Sequence, residues 1–524
     1  MIPLLQNFLT QNSQVYPDKV AVSIAKKKYT FRDIDELSDK VAVSLQNSDV
    51  KRGDRVVILL GNTIDTIISF WGILKSGAVV IPVGIELKPE KIEYILNDSS
   101  ATALITNHEV VSHNQSMLER SGLSKVIISG EKGATSGKLY EYMSNILSAE
   151  KSEIVYTGTI SIDLSAIIYT SGSTGEPKGV MLTHQNMIAA TNSLNAYLGY
   201  SIDDNVLCAL PLSFDYGLYQ MIMCISTGAT LLLEKEFTWP IFLLKAIKEK
   251  QATILPAVPT MVTMLYEQNK KSQLDLSSIR AVTNTGAALT ENNINMVKTL
   301  FSNVEIFSMY GLTECKRCTY LPPQDIDKKP NSVGVAIPNT ELWLVDDDDN
   351  KIDEPNTIGQ LVIRGATVMR GYWNKPQKTA EKLKEGKFSG EMVLYTGDYC
   401  SLDEDGYLYF KGRMDHMIKS RGIKVSPKEV EDYINAIPEV NAVLVTGVPD
   451  QDYGEVLFAF VVLADDNEIS EEEIISQCKR DLESYKVPEY VNIIKSMPKT
   501  PNGKFDVIRL KTIALEKANI KATV

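Results

Sequence analysis

A chain of 524 residues exceeds one ordinary domain, and at about 150 residues per compact unit it implies roughly three such units, with a sizeable core within reach of its 44% hydrophobic content. Its 54 Lys plus Arg stand against 66 Asp plus Glu, a formal charge of −12 with no basic block, which weighs against a nucleic-acid partner. Six scattered cysteines do not make a disulfide framework and favour a reducing compartment, and no apolar run approaches the length of a membrane span.

The opening residues carry no charged leader followed by a long apolar stretch, so a cytoplasmic location is expected. Thr30 with Asp33 reads as an N-cap with an acid in the first turn, opening a helix to about Leu45. RVVILLG at 55–61 reads as a buried strand, 63–76 as a helix and 78–83 as a second strand. Further strands are expected at 102–105, 125–128, 166–168 and 230–233, with a helix at 241–249. This alternation implies layered α/β architecture, with the strand order left open.

After about residue 330 glycines, prolines and short β-prone runs (ELWLV, QLVIRG, GYLYFKG) imply a β-rich portion. Beyond residue 412, a helix at 427–436 and the strands AVLVTGV and FAFVVLA suit a small α+β domain. The expected division is 1–411 and 412–524. The acidic runs at 346–350 and 464–473 read as solvated turns or helix starts.

The segment YTSGSTGEPKG, residues 169–179, concentrates glycines, hydroxyls and one lysine directly after a strand. Such a loop lets backbone approach a polyphosphate while hydroxyls donate hydrogen bonds and lysine neutralises charge. Its spacing is not that of a P-loop.

Taken with YGLTE at 310–314, YTGD at 395–398, GRMDHMIKSRG at 412–422 and PNGK at 501–504, it resembles the adenylate-forming superfamily of acyl-CoA synthetases, nonribosomal adenylation domains and luciferases, along essentially the whole chain. The resemblance implies a large multi-subdomain N-terminal α/β region and a small mobile α+β C-terminal domain. It also implies two reactions: ATP and a carboxylate give an acyl-adenylate and pyrophosphate, then a thiol captures the acyl group. Thr170, Ser171, Ser173, Thr174 and Lys178 would cradle the pyrophosphate. Tyr310 would face adenine, Thr313 would bond near the α-phosphate, and Glu314 would ligate Mg²⁺. Asp398 would accept from the ribose hydroxyls, Arg413 would be a second ribose or phosphate contact, Lys504 would bridge carboxylate and AMP oxygens during adenylation, and Asp415 would be the hinge.

In SFDYG, Asp215 stands where amino-acid-activating relatives place a carboxylate for the substrate ammonium. By the same resemblance Tyr216, Tyr219, Thr283, Thr285, Met309, Arg317 and Cys318 line the acid pocket, and Cys315 with Cys318 reads as packing rather than a zinc site. The main expectation is therefore a stand-alone ligase similar to prolyl carrier-protein ligases, which loads a small amino acid onto the phosphopantetheine of a separate carrier protein. Arg317 leaves an acidic side chain or a salt bridge open. The alternatives are an acyl-CoA synthetase for a small or medium acid, with coenzyme A as acceptor, and a non-catalytic nucleotide-binding regulator.

Overall fold

The computed structural model describes all residues except 1–2, 131–132, 134, 136, 151, 171–176, 288, 415–416, 421–422, 451–453, 465–467, 500–504 and 522–524. The chain forms two compact units, Met1–Leu342 with Ile363–Tyr395 and Trp343–Val362 with Thr396–Val524.

The first unit is built on two sheets whose strands read as near-continuous apolar runs because helices cover both faces. In the eight-stranded sheet the strands beginning at residues 371, 178, 164, 79, 55, 103, 125 and 140 lie side by side in that order. Val79–Val83 is parallel to both Arg55–Leu59 and the strand Leu164–Thr170, whereas Leu164–Thr170 and Lys178–Thr183 pair antiparallel. Val57, Leu59, Ile81, Leu104, Ile128 and Ile167 form its core, with Tyr169, Met181 and Trp373 packed against them.

The nine-stranded sheet orders the strands beginning at 335, 315, 305, 281, 254, 205, 230, 20 and 27. Ile254–Pro256, Ala281–Asn284 and Glu305–Leu312 run parallel, so their carboxyl ends share one edge. A ligand on an open α/β sheet binds at that edge.

Local signals explain the helices. Thr30 accepts from the Asp33 amide and Asp33 reaches back to the Thr30 amide, a capping box that opens the helix Phe31–Asn47. Its buried residues Phe31, Ile34, Val41 and Leu45 follow the helical repeat.

The second unit holds a five-stranded sheet in which Val440–Asp450 and Gly454–Leu463 pair antiparallel and Tyr490–Ile493 joins in parallel. Successive side chains along a strand point to opposite faces, and the two cores follow that period. Leu457, Ala459 and Val461 meet Val430, Ile434, Ile474 and Cys478, while Val456, Phe458 and Phe460 meet Leu510 and Ala514. The α/β and α+β classes expected from sequence are thus present. Of the acidic runs, 346–350 is a turn closed on Asp346, and Ser470 with Glu473 caps the helix Glu471–Asp481.

Candidate active site

The expected phosphate loop joins two antiparallel strands, with Thr170 and Lys178 as register partners at its base. Ser171, Ser173 and Thr174 lie outside the described residues. Gly179 follows Lys178 where a Cβ would stand 2.7 Å from Ile167 Cγ2 and 3.3 Å from Trp373 Cβ, so any side chain would force these neighbouring side chains to shift. On its far side the strand pairs with Gly371–Tyr372, and the Trp373 amide donates to the Gly179 carbonyl at 2.8 Å.

That pairing carries Tyr372 between two of the expected site residues. Its ring centroid is 5.7 Å from Lys178 Nζ, and its hydroxyl donates to Glu314 Oε1 at 2.7 Å. Thr313 and Glu314 form the two-residue turn between Glu305–Leu312 and Cys315–Leu321, with Leu312 and Cys315 paired behind them and Tyr310 half-buried on the first strand. Sequence reasoning missed Tyr372, whose only signal is its place in the short GYW segment beside a glycine. The hydroxyl fixes the orientation of the Glu314 carboxylate, as a hard-cation ligand requires, so Glu314 fits Mg²⁺.

In the second unit, strand register sets Asp398 opposite Arg413, and Arg413 Nε meets Asp398 Oδ1 at 2.9 Å. Asp398 is 1% exposed. Asp415 and Lys504 lie outside the described residues.

The residues expected to line the acid pocket meet at the carboxyl edge of the nine-stranded sheet. Tyr216 and Tyr219, one turn apart on the helix Asp215–Thr227, are both buried, and the Tyr216 hydroxyl donates to the Thr283 carbonyl at 2.6 Å. Thr285 is buried just beyond that strand, and Met309 Sδ accepts from the Tyr197 hydroxyl at 2.9 Å. Arg317 lies over the Tyr216 ring with Cζ 4.9 Å from its centroid, and Lys316 Nζ lies 4.6 Å from that of Tyr219. The Cys318 thiol donates to the Cys315 carbonyl at 3.4 Å.

Asp215 is not held for a substrate ammonium: Lys316 Nζ stands 2.9 Å from its Oδ2. Sequence reasoning missed Lys316, although two consecutive cations inside ECKRC were a visible signal. Complete burial, with the Arg317 charge as the second cause, pulls the Lys316 ammonium down to about 7, against the attraction of Asp215.

A family model described as AMP-binding enzyme matches residues 9–373, and one described as AMP-binding enzyme C-terminal domain matches 429–504. The chain belongs to the AMP-binding enzymes. Within that family it is 31% identical to a long-chain-fatty-acid–CoA ligase of Bacillus subtilis (strain 168), across 99% of this chain and 96% of that protein. Among solved structures, the anthranilate CoA ligase AuaEII in complex with anthranoyl-AMP superposes with a TM-score of 0.87 at 28% identity, covering 99% of this chain and 98% of its own. The amide bond synthetase McbA from Marinactinospora thermotolerans also gives 0.87, at 26% identity, covering 98% and 100%.

This AMP-binding enzyme is accordingly an ATP-dependent, AMP-forming acid–thiol ligase. The expectation of an amino acid loaded onto a carrier protein, and the kinship with prolyl carrier-protein ligases, is corrected by these relatives, which favour the acyl-CoA synthetase alternative. The physical reason lies in Asp215, whose charge is already matched by Lys316. Among the described residues, no helix is long and apolar enough to cross a membrane.

Proposed function

We propose that this AMP-binding enzyme is an acyl-CoA synthetase: a carboxylate oxygen attacks the α-phosphorus of ATP and expels pyrophosphate, and the coenzyme A sulfur then attacks the acyl carbon and expels AMP. The observation that carries the site assignment is the meeting of Lys178 and Glu314 at Tyr372, which gathers a cation and a carboxylate beside the phosphate loop.

In this reading Thr170, Ser171, Ser173, Thr174 and Lys178 hold the outgoing pyrophosphate, where the two strand ends supply a rigid base. Mg²⁺, when bound at Glu314, offsets the negative charge of the phosphate oxygens. Tyr310 stacks on adenine, Thr313 donates near the α-phosphate, and Asp398 accepts from the ribose hydroxyls with Arg413 aligned beside it. Lys504 balances the carboxylate and phosphate charges in the first reaction. A hinge at Asp415 then exchanges Lys504 for the 419–422 segment, with residues 412–524 as the moving domain. The six buried free cysteines support a reducing, cytoplasmic setting.

Release of AMP tests the reading. Purified protein given ATP, Mg²⁺ and coenzyme A should release AMP and form a thioester with at least one member of a panel of carboxylic acids. Lys504→Ala should slow adenylation by about 100-fold or more while sparing thioester formation from supplied acyl-adenylate. Equal loss in both half-reactions would refute the role of Lys504, and silence across the panel would refute the synthetase reading.

A further inference from the structure

We propose that the acid activated here carries a second carboxylate, received by Arg317 among the residues expected to line the acyl pocket. The inference rests on the synthetase reading and names its substrate class.

Arg317 is 3% exposed, yet its Nε has no hydrogen-bond partner and its guanidinium no ion pair among the described residues. The nearest acid on the helix it packs against, Asp215, is engaged by Lys316. The 2.9 Å pairing of Lys316 Nζ with that carboxylate leaves Arg317 without an acidic partner of its own among the described residues. A buried guanidinium without a counter-charge is strongly unfavourable, and a planar carboxylate matches its fork of donors.

The backbone is bent to create this arrangement. Consecutive strand residues ordinarily face opposite sides, but Arg317 has φ of +52°, a left-handed conformation costly for a long side chain, and the pairing slips between Tyr310 and Leu312. Lys316 and Arg317 consequently both lie over tyrosines of the 215–227 helix. Gly311 makes room, since a Cβ there would stand 2.7 Å from Arg317 Cα. Tyr197, whose ring stacks on Tyr320 at 4.0 Å, packs beside the cluster with its hydroxyl on Met309 Sδ. The whole cluster sits at the ligand-binding edge of the parallel strands, three positions along the chain from Glu314.

A neutral acyl chain would leave the guanidinium dry and unpaired, and a substrate ammonium would add like charge. A distal carboxylate satisfies it.

The test compares AMP release by the full-length enzyme with straight-chain α,ω-dicarboxylic acids from three to eight carbons and with chain-matched monocarboxylic acids. Wild type should favour its best diacid over the matched monoacid by about 100-fold in kcat/KM. Arg317→Leu should reduce that ratio to within about threefold, and Arg317→Lys should retain an intermediate preference. If wild type uses monoacids as well as diacids, the inference falls while the synthetase reading stands. Arg317→Leu slowing both classes by the same factor would also overturn it, by assigning Arg317 to packing. No AMP release with any acid would overturn the synthetase reading and this inference together. The wild-type panel decides the matter even if the leucine variant fails to fold.

Discussion

His184 opens the helix His184–Leu198 almost fully buried, with its Nδ1 accepting the Leu5 amide at 3.1 Å. Burial holds its imidazole down at about 4, so the folded protein keeps it neutral where an unfolded chain would protonate near 6.5. The unfolded state then binds more protons between these values, and stability falls as pH drops through that window. From pH 7 to 5 this one group removes about 2 kcal/mol. The thermal midpoint of wild type should therefore fall more steeply over that range than that of His184→Gln; parallel slopes would show that His184 does not control the acid limb. None of this is legible in the sequence, where His184 is one of four histidines. Lys316 teaches the same lesson at the site: lysine is ordinarily solvent-exposed, and only its seat between Tyr219 and Asp215 shows a buried charge. Asp215 was singled out from its motif, but the partner that changes its meaning lies 101 positions further along the chain.

At the scale of elements, local chemistry carried far. Thr230–Leu233 occurs with the expected bounds, and the helix expected over 63–76 forms as Ile64–Lys75, because apolar runs and cap residues act over a few neighbours. Strand ends were less legible: the run expected at 166–168 extends over Leu164–Thr170, its last residue set by pairing with Lys178 rather than by propensity. The loop glycines suggested phosphate contact, yet Gly179 also has a packing role that the pairing alone reveals. Gly179→Val should lower stability by about 1–3 kcal/mol by forcing a side chain against Ile167 and Trp373. Chemical denaturation of the variant checks this, and an unchanged midpoint would mean that the neighbours yield freely.

Across the whole molecule, all six cysteines are buried and free. Burial raises the thiols of Cys208 and Cys478 to about 12 and about 11, and lifts Cys224 and Cys400 well above their ordinary range. An aromatic disulfide reagent should therefore label the native protein slowly and titrate six thiols once it is unfolded; rapid native labelling would contradict the packing. By itself the sequence determined the α/β and α+β classes, the family and the candidate nucleotide-site residues, because periodicity, capping and contiguous motifs are written in neighbouring residues. Tertiary structure decided the strand order, the bridge of Tyr372 between Lys178 and Glu314, and the pairing of Asp215 with Lys316. Those depend on long-range register, which brings distant side chains within reach and sets whether a buried charge already has its partner.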